Sequence, residues 1–137
     1  MAIKLGMDCK MYYGAAGSSA ATEMTNVRDV TLNLETAEAD VTTRGNQGWR
    51  ATVATLKEGS VEFEMIWDTD DVSFNAFKDA YFDKDPIAVK ILDSDGGSGL
   101  DADFVVSNFS RNEPLEEAVT ASVTIKPTYS TRAPAWV

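Results

Sequence analysis

The chain has 137 residues, with 22 acidic against 12 basic side chains, no histidine and a single cysteine. That length is close to the ~150 residues of one ordinary domain, and 44% hydrophobic with 25% charged residues excludes wholesale disorder, so one soluble domain over 1–137 is expected. A net charge of -10 argues against an autonomous duplex-binding protein, and the lack of histidine removes Ser-His-Asp and Cys-His catalysis together with His-ligated zinc.

Met1–Lys10 carries Asp8 and no continuous apolar run, so it does not read as a signal peptide. No stretch approaches the ~20 apolar residues that span a bilayer, and no membrane insertion is expected. Cys9 alone can make no internal disulfide. A strand is predicted over Lys10–Tyr13, followed by a Gly-, Ala- and Ser-rich loop from Gly14 to Ala21. Val30, Leu32 and Leu34 then alternate with Asp29, Thr31, Asn33 and Glu35, a period of two that marks a half-buried strand. Two shorter strands, Ala39–Thr43 and Trp49–Leu56, flank a polar stretch through Arg44 and Gly48. Val61, Phe63, Met65 and Trp67 alternate with Glu62, Glu64, Ile66 and Asp68 in a long strand with one wholly apolar face.

The period then changes. Val72, Phe74, Phe77 and Tyr81, with Ala76 and Ala80, recur at helical spacing from Asp71 to Phe82. Asp70 or Asp71 can cap this helix, and Asp83-Lys-Asp-Pro86 ends it. Strands follow at Ile87–Leu92, Ala102–Asn108 and Val119–Ile125, the last closed by Pro127. The expected fold is mainly β: an antiparallel β-sandwich or partly closed barrel carrying one α-helix.

The acidic clusters reduce to local structure. Asp68, Asp70 and Asp71 sit where a strand ends and a helix begins, which accounts for them without a ligand. Asp93 to Asp103 echoes a calcium-binding repeat, but position twelve counted from Asp93 is Phe104 rather than Glu, and no second copy exists. A glycine-rich hairpin explains that stretch better, and no metal or cofactor is expected. Trp67 lies on the apolar face of its strand and reads as core. Trp49, beside a Gly-Asn-Gln-Gly turn, and Trp136, next to the last residue, read either as docking aromatics for another subunit or as local fold-backs.

The order of several motifs carries a resemblance. Asn26-Val-Arg-Asp-Val-Thr-Leu-Asn-Leu34, Ala39-Asp-Val-Thr-Thr-Arg44, Gly48-Trp-Arg50, Ser60-Val-Glu-Phe-Glu-Met-Ile-Trp-Asp68, Phe109-Ser-Arg-Asn-Glu-Pro114 and Glu117–Pro127 follow one another along the chain. From about Lys4 to Trp136 it resembles the major tail tube proteins of long-tailed, non-contractile bacteriophages. The strand, helix, hairpin and strand order is also similar to the tube protein of type VI secretion. The resemblance implies a structural subunit of a virion tail, not an enzyme. It implies hexameric rings that stack into a tube for DNA, assembled in the host bacterial cytoplasm with tail-tip, tape-measure and tail terminator proteins. It implies that Val41–Lys57 is an extended loop reaching the adjacent ring, with Thr43, Arg44, Trp49 and Arg50 in that contact. Glu62 and Glu64 become candidates for an acidic lumen that repels phosphates. The helix would pack Phe74, Phe77 and Tyr81 on the sheet towards the outside of the ring, and a smooth tube without immunoglobulin-like decorations is expected. Two other classes compete: a monomeric β-sandwich binding carbohydrate or protein through Trp49, and an enzyme relying on Asp101 and Asp103.

Overall fold

The computed structural model describes residues 3–137; Met1 and Ala2, part of the N-terminal run discussed above, lie outside the described residues. Eight strands and one helix follow in the order β1 (Lys10–Ala15), β2 (Thr22–Glu23), β3 (Val27–Asp40), β4 (Thr52–Ile66), α1 (Val72–Asp83), β5 (Ile87–Leu92), β6 (Gly99–Asn112), β7 (Thr120–Pro127) and β8 (Ala135–Trp136). All pairings are antiparallel, and the sheet runs β2-β1-β5-β6-β7-β4-β3, with β8 added to the start of β6. The sheet curls into a half-barrel, the partly closed form of the expected mainly β architecture.

Alternation sets the two faces. Val61, Phe63 and Met65 on β4 pair with Ile125, Val123 and Ala121 on β7, and all six are buried. Val89 and Ile87 on β5 meet Ala102 and Phe104 on β6 in the same layer. α1 covers this apolar face. Its buried stripe is Ser73, Phe74, Phe77 and Ala80, spaced for one side of a helix. Phe77 meets Phe63 edge-on with ring centroids 5.1 Å apart, and Phe74 meets Trp67 at 4.8 Å. Tyr81 stacks on Phe109 at 6.2 Å but stays 41% exposed. Val72, included in the helical pattern above, lies off the packed side and is exposed, because the first turn places it away from Phe74 and Phe77.

The helix is bounded as its end residues require. Asp71 rather than Asp70 is the cap; its carboxylate accepts from the Phe74 N–H at 3.3 Å and from Ser73 Oγ at 2.6 Å. Lys84 turns left-handed just past the last residue, and β5 begins after Pro86. The turn from Asp93 to Ser98 joins β5 to β6 as the expected glycine-rich hairpin. Gly99 opens β6 because a Cβ there would overlap the Ile91 carbonyl.

Two expectations are corrected. Ala39–Thr43 and Trp49–Leu56 are not separate strands: the first is the end of β3, stopping at Asp40, and the second is the start of β4. β3 and β4 form one long hairpin that bulges between Thr36 and Glu38, where the alternation changes phase.

Candidate assembly surfaces

The long hairpin outruns the rest of the sheet. β4 pairs with β7 only from Val61 to Ile66, and β7 stops at Pro127, which has no N–H to extend a ladder. Thr52–Ser60 of β4 therefore has only β3 beside it, a free arm of about 30 Å at the usual strand rise. A two-stranded ribbon without a third strand or a covering helix is marginal in water. This one also exposes Leu34, Val41, Val53 and Leu56, the last at 75%.

The arm ends in a defined turn. The Val41 N–H donates to the Ala51 carbonyl at 3.0 Å, and Thr42 Oγ1 accepts from the Ala51 N–H at 2.9 Å. Hydrogen bonding from Thr42, through its side chain and its N–H, holds the Asp40 carboxyl below the usual carboxylate range. Arg44–Asn46 make a single 3-10 turn, after which Gln47 and Gly48 are left-handed. Thr43, Arg44, Trp49 and Arg50 all lie in this tip, and all are exposed. Trp49 is 78% exposed, and the Arg50 side chain is 89% exposed, with Asp40 at 3.9 Å as its ion partner.

The face of the sheet opposite the helix is polar. Glu58, Ser60, Glu62 and Glu64 line it along β4. Glu35 on β3 stands directly across from Glu58. Glu35, Glu58 and Glu62, with Asn33, Lys57 and Lys126, border a shallow cleft of about 540 Å³. Glu62 is exposed, and Glu64 is half-buried with Arg28 at 3.9 Å. Thr31, Ser122 and Thr124 complete the layer, so carboxylates prevail over bases on that side.

The sheet has open margins. The outer edge of β3 has no strand beside it among the described residues, over a run of 14 residues. Across a cleft of about 520 Å³ from its first residues lie Lys10 and Met11 of β1 and Met24, just after β2. The barrel is thus left unclosed at that seam.

One cluster was not foreseen. Asp101 and Asp103 sit on the polar side of β6, where alternation predicts solvent, yet Asp103 is 2% exposed. The segment after β7 crosses over them. Arg132 Nη1 donates to Asp101 Oδ1 at 3.0 Å and Arg132 Nε to Asp103 Oδ1 at 3.0 Å, while Nη2 lies 2.9 Å from Asp103 Oδ1 in an ion-pair contact. Ser130 Oγ and the Gly17 N–H donate to Asp103 Oδ2, and Ser19 Oγ donates to Asp101 Oδ2 at 2.8 Å. Burial pushes the Asp103 carboxyl up, but the bonds from Ser130, Arg132 and Gly17 outweigh it and hold the group below its ordinary value. Every carboxylate oxygen of the pair has a donor, so the pair anchors the segment that crosses it. The sequence signal was faint: two Asp at alternate positions and one Arg in a proline-flanked tail. The latched segment then adds β8 to the start of β6, so Trp136 is a local fold-back that remains 64% exposed.

Among the described residues no group of three or more Cys, Asp or Glu is arranged to hold a metal ion, and no helix is long and apolar enough to cross a membrane. Residues 9–128 match the family model described as phage tail tube protein. The chain belongs to that family. It is therefore a structural subunit of a phage-type tail tube, as the resemblance implied.

Solved structures agree on the fold. The chain is similar to a protein in the tail of an empty gene transfer agent particle refined with C6 symmetry, at 15% identity and a TM-score of 0.79, covering 98% of this chain and 99% of that one. It is similar to a component of the SPP1 tail tube at 15% identity and a TM-score of 0.70, over 90% of this chain and 75% of the other. A chain of the anti-feeding prophage baseplate matches at 5% identity and a TM-score of 0.64, over 100% and 97% of the two chains. No curated protein matches this sequence.

Proposed function

We propose that six copies of this chain close into a ring and that the rings stack into a tube through which DNA passes. The arm carries this reading. A ribbon of about 30 Å with exposed Val41, Val53, Leu56 and Trp49 is poorly supported by its own chain, and a second subunit would bury it. The open edge of β3 offers backbone donors and acceptors for lateral pairing, and a closed ring leaves no such edge free. The C6 symmetry named for the gene transfer agent tail supports six as the copy number.

The polar face with Glu62 and Glu64 then turns inward, and the helix outward. A lumen lined by carboxylates repels phosphates, so DNA slides without sticking. Thr43, Arg44, Trp49 and Arg50 reach the adjacent ring. Tail-tip, tape-measure and terminator proteins are the partners at the ends and in the channel, and assembly takes place in the host cytoplasm.

The test is size-exclusion chromatography with light scattering across concentration, with negative-stain microscopy of each fraction. Rings or tubes with a central channel are expected. A chain that stays monomeric, remains inert towards tail-tip complexes and binds a glycan through Trp49 would overturn the proposal in favour of a binding module.

A further inference from the structure

The two ends of β6 differ in chemistry. At its start, where Leu100 pairs with Trp136, lies an apolar groove of about 340 Å³ bordered by Leu34, Leu100, Pro127, Pro134 and Trp136. Gly59 also lines it, and a Cβ there would already touch Leu34 and Pro127 at 3.4 and 3.7 Å, so the missing side chain keeps the space open. The wall made by Pro134 and Trp136 is held by the Arg132–Asp101–Asp103 cluster and by paired bonds between Gly99 and Val137 at 3.0 and 2.8 Å. Alternation turns Glu35 and Glu58 to the polar face. Lys57, in phase with Gly59 and Val61, is therefore the charge beside the groove, and it has no ion partner among the described residues.

The other end is acidic. β6 stops at Asn112, and the residues from Glu113 to Val119 return the chain to β7. The Glu117 N–H donates to the Pro114 carbonyl at 3.5 Å, which puts Leu115 at the corner of a turn, 99% exposed. Glu113 reaches back to Arg111 at 3.6 Å, whereas Glu116 and Glu117 are exposed and have no ion partner among the described residues.

We infer that this loop seats in the groove of a second copy, with Leu115 between Pro134 and Trp136 and Glu116 paired to Lys57. The inference rests on the tube reading and names a stacking contact between the bodies of successive subunits, separate from the arm tip. Three observations support it. An exposed leucine beside a proline meets a groove walled by leucine, proline and indole, so apolar surface is buried on both sides. The unpaired carboxylates of the loop are opposite in sign to the unpaired ammonium at the groove. Loop and groove also lie at opposite ends of one strand, about 45 Å apart at the usual rise. A copy translated along β6 by about that length brings its loop to the next groove, and such a head-to-tail contact repeats without closing, as a stack requires. The arm of the receiving copy, rooted at the same groove, then runs alongside its neighbour.

Two experiments decide it, both on the full chain and both read on particles pelleted by ultracentrifugation and imaged by negative stain. Leu115→Ser and Lys57→Glu should each lower pelleted tube at least tenfold. Monomer melting should stay at the wild-type value, because both side chains are exposed and outside the core. Adding Glu116→Lys to Lys57→Glu should restore most of the yield. In a Cys9→Ser background, Leu115→Cys with Pro134→Cys should give a ladder of disulfide-linked multimers on oxidation, absent from either single variant. Wild-type yield with Leu115→Ser, a reversed charge pair that recovers nothing, or tubes without a ladder would overturn the loop-in-groove contact and leave the tube reading intact. A wild-type chain that forms no rings or tubes, even with tail-tip complexes added, overturns the tube reading and this contact with it.

Discussion

Arg132 is the residue on which the C-terminal segment depends. Its guanidinium neutralises two carboxylates, one of them almost fully buried, and removing it leaves those charges facing one another. Breaking a buried pair by deleting one partner costs about 3 kcal/mol or more. Arg132→Ala should therefore lower thermal stability markedly and raise hydrogen exchange at Gly99 and Val137, whose paired bonds close the segment. Replacing Arg132 with Ala and finding both unchanged would remove the cluster from any account of stability. The pH dependence has a fixed sign. Asp103 is held below the ordinary carboxylate value in the folded chain, so its contribution is complete above about pH 4 and is lost as pH falls through the lowered value. The wild type should thus lose stability on acidification in that range, and Asp103→Asn should show a shallower loss; equal acid slopes in chemical denaturation would refute the assignment.

Among the elements, the helix and the arm differ in how they are stabilised. α1 has a capped start and two phenylalanines in the core, so its energetics follow from its own residues. Asp71→Ala should cost about 1 kcal/mol through the lost bond to the Phe74 N–H, and Phe77→Ala about 4 kcal/mol through an unfilled core site. Urea unfolding measures both, and an order reversed between them would mean that the helix is not docked as described. The arm should behave differently. Replacing Thr42–Arg50 with a two-residue Asn-Gly turn should leave monomer stability almost unchanged and abolish stacking, because no core residue lies in that span.

This contrast also explains what the sequence revealed. Where one face is buried, as at Val61–Met65 or Thr120–Ile125, alternation marks the strand plainly. On the arm both faces are exposed, so Glu35-Thr-Ala-Glu-Ala-Asp40 carries no one-sided pattern, and across from it a bulge adds one residue to β4 between Ala54 and Lys57 and shifts the phase of that strand. One hairpin therefore read as separate strands. The two-residue strands β2 and β8 are too short to show any period. The positions of Thr43, Arg44, Trp49 and Arg50 in a polar excursion were legible, because Gly48 and its neighbours announce a turn. The Arg132 cluster was not, since it joins residues 29 to 31 positions apart through a segment without periodicity.

At the scale of the whole molecule the acidic balance becomes a statement about transport. An isolated subunit of charge -10 should ignore DNA, and an assembled tube should hold the same duplex only if its channel fails to repel it. Glu62 and Glu64 lie on the polar face, one exposed and one half-buried, and neither belongs to the core. Their replacement by lysine inverts the local sign and leaves the apolar layer of Val61, Phe63 and Met65 untouched. Tubes of Glu62→Lys with Glu64→Lys should co-sediment with short labelled duplex, and the retained DNA should resist added nuclease because the tube wall shields it. The retention should fall steeply between about 50 and 200 mM salt, as counterion release requires. Wild-type tubes should retain none at either salt. DNA that binds the variant but is digested at the wild-type rate would lie on the outer surface, and Glu62 and Glu64 would then face away from the channel.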